Sequence, residues 1–249
     1  MVLALVVVVV ASVAAGVAWG SVALSPADVG GIVWSRLAGR SGVPWWTAGQ
    51  EQIVWELRLP RVLMAAVVGA TLTTVGVAIQ ALVRNALADP FILGVSSGAS
   101  VGAATVLLFG TFSSLGMYAL ATGGFLGALL AVVAVFLVAQ EGGRLTPVRL
   151  VLAGVSMAFV FEAATSFLIF RADPRASQTV LFWLLGSFGR SSWRLLPLPA
   201  AILVAGFAYF LARARSLNAL ALGDDTALTL GVDVARLRRS LFLVAGWSE

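Results

Sequence analysis

Apolar and polar positions fall in blocks along this chain, not in the alternating stripes of a soluble domain. Val2 to Leu24 is apolar with small residues interspersed and reads as a first membrane span. A secretory signal is the rival reading, but the run has no basic leader and is too long. Uncharged or nearly uncharged runs follow at Val62 to Val83, Phe91 to Gly110, Leu115 to Ala139, Val148 to Phe170 and Leu195 to Ala212. Each is long enough to cross a bilayer as a helix. Leu181 to Phe188 is apolar but too short to span, so it reads as a re-entrant or packed piece. Ser240 to Gly246 opens a further apolar segment. The pattern predicts an all-α, polytopic transmembrane bundle with six spans and the start of a seventh.

The polar connections carry their own signals. Residues 25–57 form a long outer connection, and Ser25-Pro26-Ala27-Asp28 has the serine cap, first-turn proline and first-turn acid of a helix start. That helix is expected to be short, interfacial and finished near Arg36 to Gly39. Trp34, Trp45, Trp46 and Trp55 sit outside the spans and read as headgroup-level anchors; a ligand cage is the alternative. Gln140 to Pro147 is a polar turn, and Arg171 to Ser177 a polar loop. Arg213 to Arg239 is the longest polar stretch of the second half, with short helices expected over residues 213–235.

Composition narrows the chemistry. The chain is 60% hydrophobic and only 11% charged, which excludes an ordinary soluble domain. Cysteine and histidine are absent, so disulfides, thiolate metal sites and imidazole chemistry are excluded, and no metal site or catalytic residue is expected. All sixteen basic residues are arginine. Without lysine there is no phosphate-binding loop, so any ATP-driven work belongs to a partner. The net charge of +5 is read as arginines flanking spans and meeting lipid phosphates, not as a nucleic-acid surface.

The most informative stretch is Arg58 to Ala104. It opens on Arg58-Leu59-Pro60-Arg61, runs through a small-residue helix, turns at Arg84-Asn85-Ala86-Leu87-Ala88-Asp89-Pro90, and continues with Gly94, Gly98 and Gly102 four residues apart. That spacing sets the three glycines on one helix face, where another helix can approach closely. Gly69, Gly123, Gly124 and Gly127 are read the same way, and Gln80 and Asn85 as interhelical hydrogen-bonding residues. In Gly76, Gln80, Arg84, Asn85, Leu87, Ala88, Asp89, Pro90, Leu93, Gly94, Ser96, Ser97, Gly98 and Ala99 the chain resembles the FecCD-type permease subunits of ABC importers for iron–siderophores, haem and cobalamin. Ala86 departs from that pattern, which has proline there. Trp183-Leu184-Leu185-Gly186-Ser187 resembles a second element of the same family.

The resemblance implies a type II importer permease fold of ten transmembrane helices, of which this chain holds about two-thirds. A single permease domain over residues 1–249, incomplete at the C-terminus, is expected, with apolar faces left unpartnered and low stability on its own. Arg58 and Arg61 are expected to pair with carboxylates of an extracytoplasmic substrate-binding protein, with lipid anchoring as the alternative. Gly223, Ala227, Leu230, Gly231 and Val232 match the cytoplasmic coupling segment that docks on the ATPase subunits. From the residues themselves, Gly223 and Gly231 bracket a short helix capped by Asp224 or Asp225, and Asp233 caps the next. This segment is expected to lie on the same side as Asn85. Thr146 lies, by resemblance, near the cytoplasmic gate; a plain helix start is the alternative. Glu162 is the one carboxylate inside a span and either lines a pathway or pairs with an arginine.

Arginine placement leaves the orientation open. With a cytoplasmic N-terminus the inner loops hold Arg84, Arg144, Arg149, Arg213, Arg215, Arg236, Arg238 and Arg239. The outer loops then hold Arg36, Arg40, Arg58, Arg61, Arg171, Arg175, Arg190 and Arg194, an equal number. The family resemblance implies a cytoplasmic N-terminus in the inner membrane. The function expected is ATP-driven import of a metal chelate, with ATPase subunits, a binding protein and a second permease copy or homologue as partners and no cofactor on this chain. An ion-coupled secondary transporter is the alternative and would need membrane carboxylates, of which Glu162 is the single example; a membrane assembly subunit without transport is a third reading.

Overall fold

The computed structural model describes residues 1–39, 45–141 and 144–248, with the backbone alone at residues 92, 93, 141, 144, 247 and 248. Arg40 lies outside the described residues, and so does the side chain of Arg144. The chain forms two compact units, one of Met1–Ala70 with Ser187–Leu203, the other of Thr71–Gly186 with Val204–Glu249.

In the first unit, α1 (Val2–Ala18) leads to α2 (Pro26–Ala38). The α2 start is the one the sequence predicts: the Ser25 hydroxyl accepts from the Asp28 N–H at 3.1 Å, and Gly39 closes the helix in the left-handed region. Next comes α3 (Ala48–Gln52), opened by a Thr47–Gln50 capping box. It runs through a π turn (Ile53–Arg58) into α4 (Leu59–Val83), making one helix of 36 residues. The second span therefore begins earlier than its apolar run, and Trp55 lies inside the helix. The π turn sits just ahead of Pro60, whose ring would collide with a carbonyl in a regular α-helical register. Val17, Val29, Ile32 and Val54 form the core of this unit. Three of the tryptophans expected as headgroup-level anchors also make contacts within the protein, with Trp45 exposed and Trp46 and Trp55 half-buried. Trp45 donates to Asp28 (3.1 Å) and Trp46 to Glu51 (3.4 Å), while Trp55 lies against Trp193 at 5.0 Å.

The second unit holds a 3-10 turn (Pro90–Leu93), α5 (Val95–Phe109), a 3-10 stretch (Ser113–Tyr118), α6 (Ala119–Ala139), α7 (Pro147–Arg171), α8 (Pro174–Leu184), α10 (Ala214–Ala221), α11 (Asp224–Thr229) and α12 (Val234–Ser248). The polar turn after α6 is a two-residue antiparallel pairing of β1 (Gln140–Glu141) with β2 (Arg144–Leu145), a minor strand element in a helical fold. The polar loop after α7 is helical from Pro174, because Asp173 caps α8 by accepting from the N–H groups of Arg175 and Ala176. α9 (Pro197–Ala212) breaks at Arg213 and bends by 64° into α10 (Ala214–Ala221).

Among the described residues three helices are long and apolar enough to cross a membrane: 48–83, 113–139 and 147–171, with the bent α9–α10 pair a fourth if taken as one span. The expected first and third spans form shorter helices. α5 has 15 residues because Gly94 and Gly110 stop it at both ends with left-handed backbone, and at 1.5 Å per residue that is about 22 Å against a hydrocarbon core of about 30 Å.

Glycine sets the α5–α6 contact. A Cβ on Gly98 would stand 2.5 Å from the Gly127 carbonyl oxygen, and one on Gly102 would collide with the Gly123 carbonyl. In a bilayer, lipid solvates leucine as well as protein does, so such backbone approach, not apolar burial, holds helices together. Gly94 serves differently: it is the N-cap of α5 at φ +69°, facing α7 at Gly154. Gly69 does not match the packing expectation, since a Cβ there would meet nothing within 4 Å, and at Gly124 one would make only ordinary contact.

Candidate functional site

The turn after α4 ends the helix in an unusual way. The Asn85 N–H donates to the Gln80 carbonyl at 3.1 Å, the closing bond of a Schellman cap. The left-handed position of that cap, normally glycine, is Arg84 at φ 56°. A side chain there costs about 1–2 kcal/mol. The Asn85 carboxamide oxygen then accepts from the Leu87 N–H (2.9 Å), and the Gln80 side chain donates to the Ala88 carbonyl (3.4 Å). Gln80 and Asn85 thus shape the turn itself and do not bridge helices as expected.

At the same end of the unit, α10 leads through Gly223 (φ 123°) into α11 (Asp224–Thr229), and α12 (Val234–Ser248) follows. The glycine-bracketed helix is present, but neither aspartate caps it; the Gly223 backbone occupies the N-cap. Its far end is a complete Schellman motif: Gly231 (φ 78°) donates to the Leu228 carbonyl and Val232 to the Ala227 carbonyl, both at 2.9 Å. Ala227 is fully buried and pins the helix, while Leu228 (58% exposed) and Leu230 (65% exposed) face outward, as does Asp225. Asp233 caps α12 as expected, accepting from the Arg236 N–H at 2.9 Å.

Asp224 turns to arginines instead. One oxygen accepts from Arg238 Nη2 at 2.7 Å and stands 3.9 Å from Arg84 Nη1. The other arm of Arg238 donates to the Leu145 carbonyl at 3.2 Å, and the residue is 6% exposed. Burial, with Arg84 nearby, pulls the Arg238 guanidinium below its ordinary range, and Asp224 opposes that shift. The Arg84–Asp224 approach sets the α4 turn and the α10–α11 segment at one end of the unit, the same side as Asn85. Sequence reasoning missed Arg238, because it stands between Arg236 and Arg239 at the helix start and nothing in the sequence tells the buried arginine from its neighbours.

In the first unit the Arg58–Arg61 pair is split. Arg58 is 9% exposed and donates to the carbonyls of Val17 (3.0 Å), Ala18 (2.8 Å) and Val22. It satisfies the open C-terminal end of α1, and the guanidinium is committed inward, so the docking role expected of it does not fit this structure. Gly20 makes the room: a Cβ there would lie 2.7 Å from Arg58 Nη2. Arg61 is exposed. Thr146 is the exposed N-cap residue of α7, with no side-chain cap bond. Glu162 is exposed on α7, and among the described residues it has no ion pair.

The model of the FecCD transport family matches residues 4–247. The chain belongs to the FecCD transport family. Consistent with that, a cobalamin import system permease of Halobacterium salinarum is 37% identical over 88% of this chain and 59% of its own length. A hemin transport system permease of Yersinia pestis is 35% identical over 80% of this chain and 61% of its own. An achromobactin transport system permease of Dickeya dadantii is 35% identical over 95% and 65%. The chain thus spans about three-fifths of the length of these curated relatives. In the solved structures, an inward-facing metal-chelate type ABC transporter superposes with a TM-score of 0.81 at 29% identity, over 98% of this chain and 72% of that one. With this family membership and several apolar helices, this is a multi-pass membrane protein.

Proposed function

We propose that this chain is the membrane-spanning part of a binding-protein-dependent ABC importer in the cytoplasmic membrane, carrying an intact iron–siderophore, haem or cobalamin complex. ATP hydrolysis belongs to partner ATPase subunits, because a chain without lysine has no phosphate-binding loop. The observation that carries this reading is α11, a six-residue helix stopped by glycine backbone at both ends, pinned by Ala227 and offering Leu228 and Leu230 outward. A rigid apolar knob of this kind suits a groove on another protein. A second permease copy or homologue would complete the translocation path, with Glu162 and Thr146 toward it. Arg61 takes the binding-protein contact, and Arg58 holds the scaffold beneath it.

The test is uptake into vesicles carrying the permease, its ATPase and its binding protein. Uptake should require ATP and survive a proton uncoupler. Uptake abolished by the uncoupler with ATP intact would favour an ion-coupled carrier.

A further inference from the structure

We propose that Arg238 is a positioning residue that clamps the coupling helix α11 to the start of α7 and to the α4 turn, so that the three move as one body. The inference rests on the reading of α11 as the ATPase contact. One guanidinium holds both ends of the link: Nη2 to Asp224, the first residue of α11, at 2.7 Å, and Nη1 to the Leu145 carbonyl, two residues before α7, at 3.2 Å. Asp224 also faces Arg84 at 3.9 Å.

Two features argue that this is more than a stray ion pair. First, Arg238 is buried beside Leu237, Leu241 and Phe242, where a cation is costly and its Nε has no hydrogen-bond partner among the described residues. An apolar residue would fill such a site at less cost, so stability alone does not account for the arginine. Second, Arg84 is held in left-handed backbone, a position that glycine would fill without strain, and there its guanidinium reaches the same carboxylate. Two unfavourable placements thus converge on Asp224. A helix of six residues pinned by one alanine is free to swivel on a push from outside; a forked guanidinium fixes its direction against α7.

The chain has no cysteine, so spin labels can be placed directly at Thr226 on α11 and Val148 on α7, both exposed and outside the proposed ATPase contact. The full permease is prepared with its ATPase, with and without ATP–vanadate. The label separation should be narrowly distributed and unchanged by ATP–vanadate in the parent chain. R238Q and D224N should each broaden it to a similar degree, with no further broadening in the double variant, and should cut uptake per ATP hydrolysed about tenfold. R238K keeps the charge but cannot hold both partners, and should lie between parent and R238Q. A narrow distribution in D224N and R238K, with uptake per ATP unchanged, would overturn the clamp. Co-purification of the ATPase is read separately: if the parent chain fails to retain it, the reading of α11 fails, while label broadening in the permease alone still decides the clamp.

Discussion

At the scale of single residues, the two arginines around Pro60 show how identical chemistry divides by environment. Arg58 meets two carbonyls at the end of α1 and a third in the connection beyond it and is buried, whereas Arg61, three residues on, is exposed. The contrast gives a paired prediction. Gly20→Ala pushes a methyl into the Arg58 guanidinium and should lower stability by about 1–3 kcal/mol, read as a fall in melting temperature in detergent. R61E should leave that melting temperature unchanged and weaken binding-protein association, most clearly at low salt where exposed charges are least screened. Unchanged association at low salt would remove Arg61 from the docking surface. The RLPR motif is legible in the sequence, but its division of labour is not. That division depends on where the α1 carbonyls end up and on the space left by a glycine some forty positions away.

At the scale of elements, spacing read from sequence predicts the α5 glycines well, because periodicity fixes which residues share a helix face. Gly98 and Gly102 meet Gly127 and Gly123 of α6 backbone to backbone, and Gly94 departs because it stands at the cap. Gly102→Val should therefore separate α5 from α6, with a loss of about 1–3 kcal/mol and a lower melting temperature. The same change at Gly69, where no neighbour stands within 4 Å of an added Cβ, should be nearly silent. Element ends were less legible. Apolar content fixes that a segment enters the membrane, but the helix follows backbone hydrogen bonding, so the helix containing α4 begins at Ala48 among polar residues, and α5 begins only at Val95, after left-handed Gly94, although its end at Gly110 is the one expected. α8 was legible in principle, since Asp173-Pro174 is a cap and a first-turn proline.

At the scale of the whole molecule, the face proposed for the ATPase contact is small: Leu228 and Leu230 beside the buried Ala227. Replacing both leucines with glutamate should abolish co-purification of the ATPase while leaving the melting temperature of the permease nearly unchanged, because both residues are mostly exposed. Retained co-purification would move the contact elsewhere. Long apolar faces of α1, α6 and α7 are also exposed, from Val2 to Val10 and at Leu130, Leu137, Phe159 and Phe167 among others. In a membrane these meet lipid at little cost, which is why exposure of leucine and valine is the rule in this fold.

The sequence by itself determined the membrane class, the helical architecture, the family and the glycine-bracketed knob. These follow from local quantities: apolar run length, residue spacing, and the backbone freedom that a turn demands. Only the tertiary structure decided that Arg58 faces inward, that Asp224 leaves its cap for Arg238, and that the α4 turn and α11 stand within ion-pair distance. Those outcomes depend on which distant carbonyls and carboxylates share a buried space with a cation, and a buried charge settles on whatever partner the fold brings within reach.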